Sequence, residues 1–159
     1  MKLRSIGSIE TEFNDPSGMP IQSTGAELTA GRVIVDEAYE EGLADIDGFS
    51  HLILLYYFHK SKGYDLMVKP FLDDQKRGLF STRAPRRPNQ IGLSIVKLLS
   101  RNGPVLTIQG IDVLNGTPLI DIKPYVPTFD IKEVTATGWL EKKQNQARSM
   151  KSDDRFVEK

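Results

Sequence analysis

Proline recurs along the whole chain, and this feature most limits what the chain can fold into. Nine prolines are spread from Pro16 to Pro127 in a sequence of 159 residues. Proline interrupts helices because it lacks an amide hydrogen and fixes φ. The intervening apolar runs are short and bounded by Gly, Asn and Asp, as is typical of strands and turns. The pattern predicts a mainly β domain with short peripheral helices, and a closed barrel because closure removes free strand edges.

The longest apolar run predicts the central strand. Leu52–Phe58 contains seven consecutive apolar or aromatic residues, the pattern of a strand covered on both faces. A buried helix is the competing interpretation, but the run is short and rich in aromatic residues, which favours the strand. The other predicted elements are strands at Thr29–Val35, Ile91–Leu99 and Val105–Leu114, a tight reversal at Asn102-Gly103 and a short acidic surface helix or turn at Glu37–Asp45.

The chain length fits one domain with a single core. We expect the barrel to occupy residues 1–138, and the charged tail 139–159 to be helical in part, with Trp139, Leu140, Ala147 and Met150 as its apolar stripe. The absence of cysteine excludes disulfides, thiolate zinc sites and a cysteine nucleophile. Neither a signal-peptide pattern nor an apolar run of membrane-spanning length is present, so a cytoplasmic protein is expected.

Charge is distributed unevenly although the formal net charge is zero. Residues 36–47 contain six acids and no base, whereas residues 76–101 contain seven bases and no acid. A local cationic face of this kind can bind phosphate or carboxylate groups. Two solvated surfaces of different charge are the alternative interpretation.

The two histidines do not form a metal site. His51 and His59 bracket the central apolar run, and eight residues of continuous strand would separate them by roughly 26 Å. No cysteine or closely spaced histidine pair is available to complete a ligand set, so no metal is predicted. His59 and Lys60 follow the strand, where ligand-binding residues often emerge, although a lone histidine is more often structural.

The segment 78–94, GLFSTRAPRRPNQIGLS, predicts a stiff cationic loop. Pro85 and Pro88 fix their own φ angles and push the preceding residues toward extended conformations. In such a conformation Arg83, Arg86 and Asn89 would share one side and present guanidinium groups for bidentate capture of carboxylate or phosphate. Gly92 would allow the close approach of a ligand or a neighbouring chain. A solvated proline-rich loop is the alternative.

Asp112 predicts a second functional position. Strand alternation would place it on the same face as Leu106, Ile108 and Leu114. A carboxylate on an apolar face is costly unless it is paired or hydrogen-bonded. A pair of ribose hydroxyls and an arginine of the preceding loop are both suitable partners. No glycine-rich dinucleotide or phosphate-binding motif and no nucleophile elbow accompanies these segments.

Segments 78–94 and 112–127, together with residues 49–52 and 57–60, closely resemble the TsaA-like (TrmO) family of S-adenosylmethionine-dependent tRNA methyltransferases. The resemblance spans about residues 6–130. It implies a β-barrel methyltransferase without a Rossmann core, working as a homodimer with cofactor near the subunit interface. It also implies methyl transfer to the exocyclic N6 of threonylcarbamoyladenosine at position 37, in the anticodon loop of tRNA.

The resemblance assigns site residues by position in this sequence. Arg83 would contact an anionic group of cofactor or substrate, Asp112 a polar cofactor group such as a ribose hydroxyl, and the catalytic base stays unassigned. The complete set of expected S-adenosylmethionine contacts is Pro20, Ile21, Gln22, His59, Lys60, Arg83, Leu93, Asp112, Val113, Leu114 and Asn115. The expected tRNA contacts, in the basic stretch, are Lys76, Arg77, Arg86 and Arg87.

Three departures from the family pattern bear on these expectations. Ile21 stands where many relatives have arginine, which removes one cationic contact, and Asn115 stands where aspartate is more usual before Gly-Thr-Pro. Longer bacterial relatives also carry an additional C-terminal domain. Two alternative functions stay open: a methyltransferase of the same fold with another RNA or small-molecule acceptor, and a non-catalytic RNA- or nucleotide-binding barrel.

Overall fold

Six antiparallel strands close into a barrel in a computed structural model that describes residues 2–15 and 28–141. Around the barrel the strands follow the order β1-β2-β7-β6-β3-β8, and a separate two-stranded sheet pairs β4 with β5. The strands are β1 Gly7–Glu10, β2 Ala30–Val35, β3 His51–Tyr57, β4 Met67–Val68, β5 Arg77–Gly78, β6 Ile91–Asn102, β7 Val105–Gln109 and β8 Thr117–Pro124. The predicted mainly β closed barrel is confirmed.

The helical segments are short and lie outside the barrel. They are α1 at Pro127–Asp130 and 3₁₀ segments at Glu37–Leu43, Ile46–Gly48, Leu79–Ser81 and Gly138–Leu140. The prediction of a short helix in the acidic stretch is confirmed by the first of these 3₁₀ segments. No helix of the described ranges is both long and apolar enough to cross a membrane. The tail from residue 142 onward lies outside the described residues, so its predicted helix stays a prediction.

The barrel interior is the hydrophobic core, and β3 shows how it is built. Leu52, Leu54 and Tyr56 point inward and are buried, whereas Ile53 and Leu55 on the outer face are only partly buried. The prediction that both faces of this strand are covered is therefore wrong for the isolated chain. A barrel wall is a single layer, and no second layer of described residues covers the outer face of β3.

The strand predicted at Val105–Leu114 ends five residues early, at Gln109. Gly110 follows at φ 91°, a conformation that favours glycine and turns the chain out of the sheet. After Gly110 the inward-facing positions shift by one residue, so that Ile111 and Val113 are buried in the core. The prediction that Asp112 shares the inward face of Leu106 and Ile108 by strand alternation is therefore wrong.

The antiparallel topology places the loop that carries Arg83 and the acidic segment at opposite ends of the barrel, although Arg101, at the far end of β6, donates to the Leu43 carbonyl of the acidic segment. The loops 11–29, 58–90 and 110–116 follow β1, β3 and β7 and emerge at one end of the barrel, here called the arginine end. The acidic 3₁₀ segment follows β2 and lies at the opposite end, here called the acidic end. The uneven charge of the sequence thus becomes an uneven charge along the barrel axis.

Candidate functional site

The arginine end brings together segments that are far apart in sequence. His59 and Lys60 begin the second loop at this end, Arg83 belongs to the same loop, and Asp112–Asn115 lie in the third. The first loop contains Pro20, Ile21 and Gln22, which lie outside the described residues. The topology therefore places the described loop residues expected to contact cofactor at one end of one barrel.

A chain of three hydrogen-bonded side chains links the barrel interior to the third loop. Ser94 Oγ donates to Asp112 Oδ1 at 2.7 Å, and Tyr56 Oη lies 2.9 Å from Ser94 Oγ. Tyr56 and Ser94 are 3% and 2% exposed, whereas Asp112 is partly exposed. An ionised carboxylate only accepts hydrogen bonds, so Ser94 uses its proton on Asp112 and Tyr56 donates to Ser94.

The electrostatics of this chain follow from its burial. Desolvation raises the pKa of Asp112 above its ordinary value, while the hydrogen bonds from Ser94 and its own backbone amide, and the Arg83 charge, work in the opposite direction. Desolvation and then the nearby Asp112 charge raise the pKa of Tyr56 as well. Tyr56 therefore keeps its proton throughout the physiological range, and the carboxylate is an acceptor with a fixed donor behind it.

Gly92 leaves the space that Tyr56 occupies. A Cβ at Gly92 would lie 2.2 Å from the Tyr56 ring and 2.8 Å from Phe58, and these two rings pack edge to face with centroids 5.5 Å apart. The glycine thus permits the close approach of a side chain from the adjacent strand of the same barrel, while the expected approach of a ligand or a neighbouring chain stays a prediction. It helps to hold the Tyr56 hydroxyl at Ser94.

The arginines expected to bind tRNA are partly neutralised within the chain. Arg77 forms a close ion pair with the buried Asp73, its Nη2 lying 2.6 Å from Oδ2, and Arg86 Nε lies 3.3 Å from Asp65 Oδ2. Arg87 donates to the carbonyl oxygens of Thr82 and Ala84, at 3.0 and 3.4 Å. Residues 76–101 contain no acid of their own, but Asp73 and Asp65, which precede them in the chain, partly neutralise two of their arginines.

Three cationic side chains of the same end remain directed to solvent. Lys60, Lys76 and Arg83 are exposed and form no hydrogen bond or ion pair with other described residues. Burial, and then the charge of Lys60, lowers the pKa of His59 below its ordinary value, so its imidazole is neutral at neutral pH. These groups are available to a ligand at the arginine end.

Asn115 has a structural use that its sequence context did not reveal. Its side-chain oxygen accepts from the Thr11 amide at 3.3 Å, and its side-chain nitrogen donates to Asn14 Oδ1 at 3.2 Å. Thr11 Oγ1 also donates to the Val113 carbonyl at 2.8 Å. The amide side chain both accepts and donates, and Asn115 thereby ties the first loop to the third.

Leu93 faces away from the hydrogen-bonded chain. It precedes Ser94 on β6 and therefore points to the outer face of the barrel, where it is 49% exposed. The structure does not bring its side chain to Asp112 within one chain. Val113 is buried in the core and Leu114 is partly buried, so Asp112 is the polar member of its run.

Sequence reasoning missed Tyr56 and Ser94. The sequence places Tyr56 in the predicted apolar strand and Ser94 at the end of the cationic segment 78–94, and indicates a functional role for neither. The available signal was that both residues occupy inward-facing positions of adjacent strands, since β3 and β6 are paired with Tyr56 opposite Gly92. The pairing register itself was not visible in one sequence.

One cavity among the described residues lies away from this site. It has a volume of about 620 Å³ and lies at the acidic end, lined by side chains such as Tyr39, Leu43, Phe49 and Ile122. The first loop of the arginine end is described only at its two ends, so cavity volume does not locate the site there. The described residues also contain no cluster of three or more metal-ligating side chains.

Known proteins are similar to this chain over the same segments. The family model described as "tRNA-methyltransferase O N-terminal domain" matches residues 8–131. A Pyrococcus abyssi protein called a probable S-adenosyl-L-methionine-binding protein is 48% identical over 96% of this chain and 83% of its own length. The human tRNA (adenine(37)-N6)-methyltransferase is 32% identical over 94% of this chain, which corresponds to 36% of the human protein.

Solved structures resemble the barrel as well. The crystal structure of TrmO from Pseudomonas aeruginosa superimposes with a TM-score of 0.73 at 33% identity, covering 87% of this chain. The chain spans 62% of that bacterial protein and about one third of the human one. The matched region contains the strands of the barrel and the loops of the arginine end.

Proposed function

The chain belongs to the tRNA-methyltransferase O family, and from that premise we propose that it is an S-adenosylmethionine-dependent tRNA (adenine-N6)-methyltransferase. The acceptor we propose is the exocyclic N6 of threonylcarbamoyladenosine at position 37, in the anticodon loop. Support for the cofactor and for the position comes from the names of the relatives, which include S-adenosyl-L-methionine-binding proteins and tRNA (adenine(37)-N6)-methyltransferases.

The observation that carries the proposal is the fixed carboxylate at the arginine end. Asp112 is a partly exposed acceptor that receives a hydrogen bond from Ser94, which suits the hydroxyl donors of a ribose. Arg83 is exposed and close enough to act electrostatically on Asp112 and Tyr56. Its guanidinium suits the carboxylate of the cofactor's amino-acid portion or a phosphate of the substrate. The described residues thus fit S-adenosylmethionine without a Rossmann domain.

In the proposed reaction the protein mainly has to position the reacting groups, and it does not have to activate the methyl group. The cofactor, when bound, supplies a methyl group that is already activated by its positive sulfur. The residues of this chain would orient that methyl toward N6 and exclude water from the approach. Anticodon-loop bases are unpaired, so the substrate base can enter the site at modest cost. The cationic side chains Lys60, Lys76 and Arg83 would attract the phosphates that flank it.

Methyl transfer to defined tRNAs tests the proposal. Purified full-length protein is incubated with methyl-labelled S-adenosylmethionine and with tRNA that carries or lacks the threonylcarbamoyl group, and digested nucleosides are analysed by mass spectrometry. Label in the N6-methylated form of the modified adenosine alone is the expected result. Label in another nucleoside would indicate a different acceptor. Cofactor binding with no transfer to any tRNA would favour a binding barrel.

Cofactor binding is measured separately. S-adenosylmethionine and S-adenosylhomocysteine at 100 times their dissociation constants should each stabilise the fold by about 2.7 kcal/mol. Absence of a shift in the thermal midpoint with either ligand would remove the cofactor from the proposal. This binding measurement therefore distinguishes an incorrect cofactor from an incorrect methyl acceptor in the proposed function.

We also propose a homodimer, supported by an uncovered apolar face. On the outer face of β6, Leu93, Ile95 and Leu99 are 49%, 41% and 49% exposed, and Ile53 and Leu55 of β3 lie opposite the first two. Lys97 separates Leu99 from the other four residues, which form an apolar cluster of the kind found in protein interfaces. Leu93 belongs to this face, so a second copy seated there would place its own surface next to a residue expected to contact cofactor.

A further inference from the structure

Phe80 is a highly exposed aromatic side chain on the arginine loop. It occupies the centre of the 3₁₀ segment Leu79–Ser81 and is 75% exposed, compared with 1% for its neighbour Leu79. A single exposed apolar residue is not unusual on a protein surface. The surroundings of this ring distinguish it, because it is rigidly mounted and accompanied by a fixed cation.

Several hydrogen bonds hold the backbone of the turn that carries Phe80. Leu79 is buried, and its amide donates to the Leu66 carbonyl at 2.9 Å. Thr82 Oγ1 donates to the Leu79 carbonyl at 2.8 Å. Trp139 Nε1 donates to the Ser81 carbonyl at 2.8 Å. The turn is thus fixed on both sides of Phe80, and the ring is presented to solvent with little loss of conformational entropy on binding.

Arg87 places a cation over the ring. Its Cζ lies 5.7 Å from the ring centroid of Phe80, within the range of a cation–π contact. The guanidinium is held there by its donation to the Thr82 and Ala84 carbonyls. A flat aromatic surface next to a fixed arginine is the combination on which unpaired nucleobases stack while their phosphates are neutralised.

The ring also lies near the candidate site. Arg83, three residues further along the chain, acts electrostatically on Asp112. Three residues span at most about 11 Å between Cα atoms. A base stacked on Phe80 would therefore lie near the cofactor bound at Asp112, without occupying the same place.

We propose that Phe80, backed by Arg87, is a stacking site for an unpaired base of the RNA substrate, next to the adenosine that is methylated. The inference rests on the proposed function, since it assumes that the acceptor is an RNA. Exposed apolar side chains also occur in protein interfaces, but the adjacent fixed arginine and the exposed Lys76 and Arg83 favour a polyanion.

The test combines variants of the protein with variants of the RNA. Phe80→Leu removes the aromatic surface and keeps an apolar side chain, whereas Phe80→Trp keeps it. Phe129→Leu is the matched control, because Phe129 is 72% exposed in α1, away from the loop. Each full-length protein is titrated with an anticodon stem–loop RNA, and with the same RNA carrying an abasic nucleotide at one loop position at a time.

The expected result is a loss of RNA affinity of about 5- to 100-fold for Phe80→Leu, with Phe80→Trp and Phe129→Leu near wild type. One abasic position should weaken wild-type binding to the same extent and should weaken Phe80→Leu no further. Affinity for S-adenosylmethionine should be unchanged in all variants, which shows that the fold and the cofactor site are intact.

Three results would overturn the inference. Phe80→Leu could bind and methylate RNA like wild type, in which case the proposed function stands and the stacking site does not. Phe80→Leu could keep its RNA affinity and shift the monomer–dimer equilibrium in sedimentation, which would assign the ring to a subunit interface. Wild-type protein could bind cofactor but no RNA, in which case both the proposed function and the stacking site fail.

Discussion

Ser94 Oγ donates a 2.7 Å hydrogen bond to Asp112 Oδ1, and this bond joins the inner wall of the barrel to the loop that carries the candidate cofactor carboxylate. Ser94 lies on β6 and is buried, whereas Asp112 lies beyond the end of β7 and is reached by solvent. Because Tyr56 stands behind Ser94, the position of the carboxylate depends on two residues that no ligand needs to touch. Both are therefore positioning residues.

Replacing Ser94 should damage both stability and cofactor binding. Ser94→Ala leaves the Tyr56 hydroxyl and one Asp112 oxygen without their partner, and an unsatisfied buried polar group costs about 1–3 kcal/mol. We expect the free energy of unfolding in urea to fall by that order and the affinity for S-adenosylmethionine to fall as well. Ser100→Ala, on the exposed part of the same strand, should change neither by more than about 0.5 kcal/mol. Equal effects of the two substitutions would contradict a positioning role.

The ionisation of Asp112 should leave a signature in the pH dependence of stability. Desolvation raises its pKa in the folded state above the ordinary value of 3.8, so the folded state holds a proton that the unfolded state releases. The free energy of unfolding therefore falls as pH rises through the interval between the two pKa values. We expect the free energy of unfolding of wild type minus that of Asp112→Asn to decrease as pH rises above the ordinary carboxyl pKa of 3.8.

Urea unfolding at a series of pH values measures this difference. Asp112→Ala also lacks the ionisable group and should give the same pH dependence, although its absolute stability differs. As Asp112 ionises, the affinity of wild type for cofactor should increase with pH, because a charged carboxylate accepts hydrogen bonds more strongly than a neutral carboxyl group. A stability difference that stays constant or increases with pH would show that the pKa of Asp112 is not raised.

Gly92 should tolerate no side chain. The added Cβ of Gly92→Ala would lie 2.2 Å from the Tyr56 ring, so the ring must move and the Tyr56–Ser94 bond must lengthen. Overpacking of a core typically costs 1–3 kcal/mol, and we expect at least that loss. Gly42→Ala is the matched control, because its Cβ would meet no heavy atom within 4 Å. Thermal unfolding of the two variants, with and without cofactor, distinguishes a local clash from a general effect of alanine.

The barrel was predictable because its signals are local. Proline spacing, short apolar runs and the turn at Gly103 each act over a few residues. Strand pairing is not local, so the partnership of Tyr56 with the Gly92 region and the resulting bond to Ser94 were not visible. The shift in inward-facing positions at Gly110 could not be predicted for a similar reason, since the sequence does not show the φ angle of a glycine within a strand pattern.

The candidate site was predictable mainly through family resemblance. Arg83 and Asp112 were named from the sequence, and the structure brings the loops that carry them to one end of the barrel. The charge of that end was harder to predict. Arg77 and Arg86 lie in a stretch without acids, yet folding provides Asp73 and Asp65 as their partners. The Asp73–Arg77 pair joins residues only four positions apart, whereas the pair of Arg86 with Asp65 depends on how the loop folds and is not visible in sequence spacing.

Lys76 and Arg77 should therefore behave differently although they are adjacent. Lys76 is exposed and has no ion-pair partner among the described residues, so Lys76→Ala should weaken tRNA binding and reduce the salt slope of log K by about 1. Arg77 is paired with the buried Asp73, so Arg77→Ala should lower the free energy of unfolding and leave the salt slope nearly unchanged. Filter binding across a salt series and urea unfolding measure the two effects. A larger salt effect for Arg77 would contradict this assignment.

The last prediction concerns the uncovered apolar face of β3 and β6. Ile95 lies at its centre, opposite Ile53 and between Leu93 and Lys97 along β6, and is 41% exposed. Ile95→Glu would place a charge in the proposed subunit interface, where an unpaired buried charge is strongly unfavourable. Sedimentation equilibrium should show a dimer for wild type and a monomer for the variant. Tyr39→Glu adds the same charge at a 39% exposed position of the acidic end and should remain dimeric. If wild type is a monomer at every concentration, the face has another use, and cofactor binding must be complete within one chain.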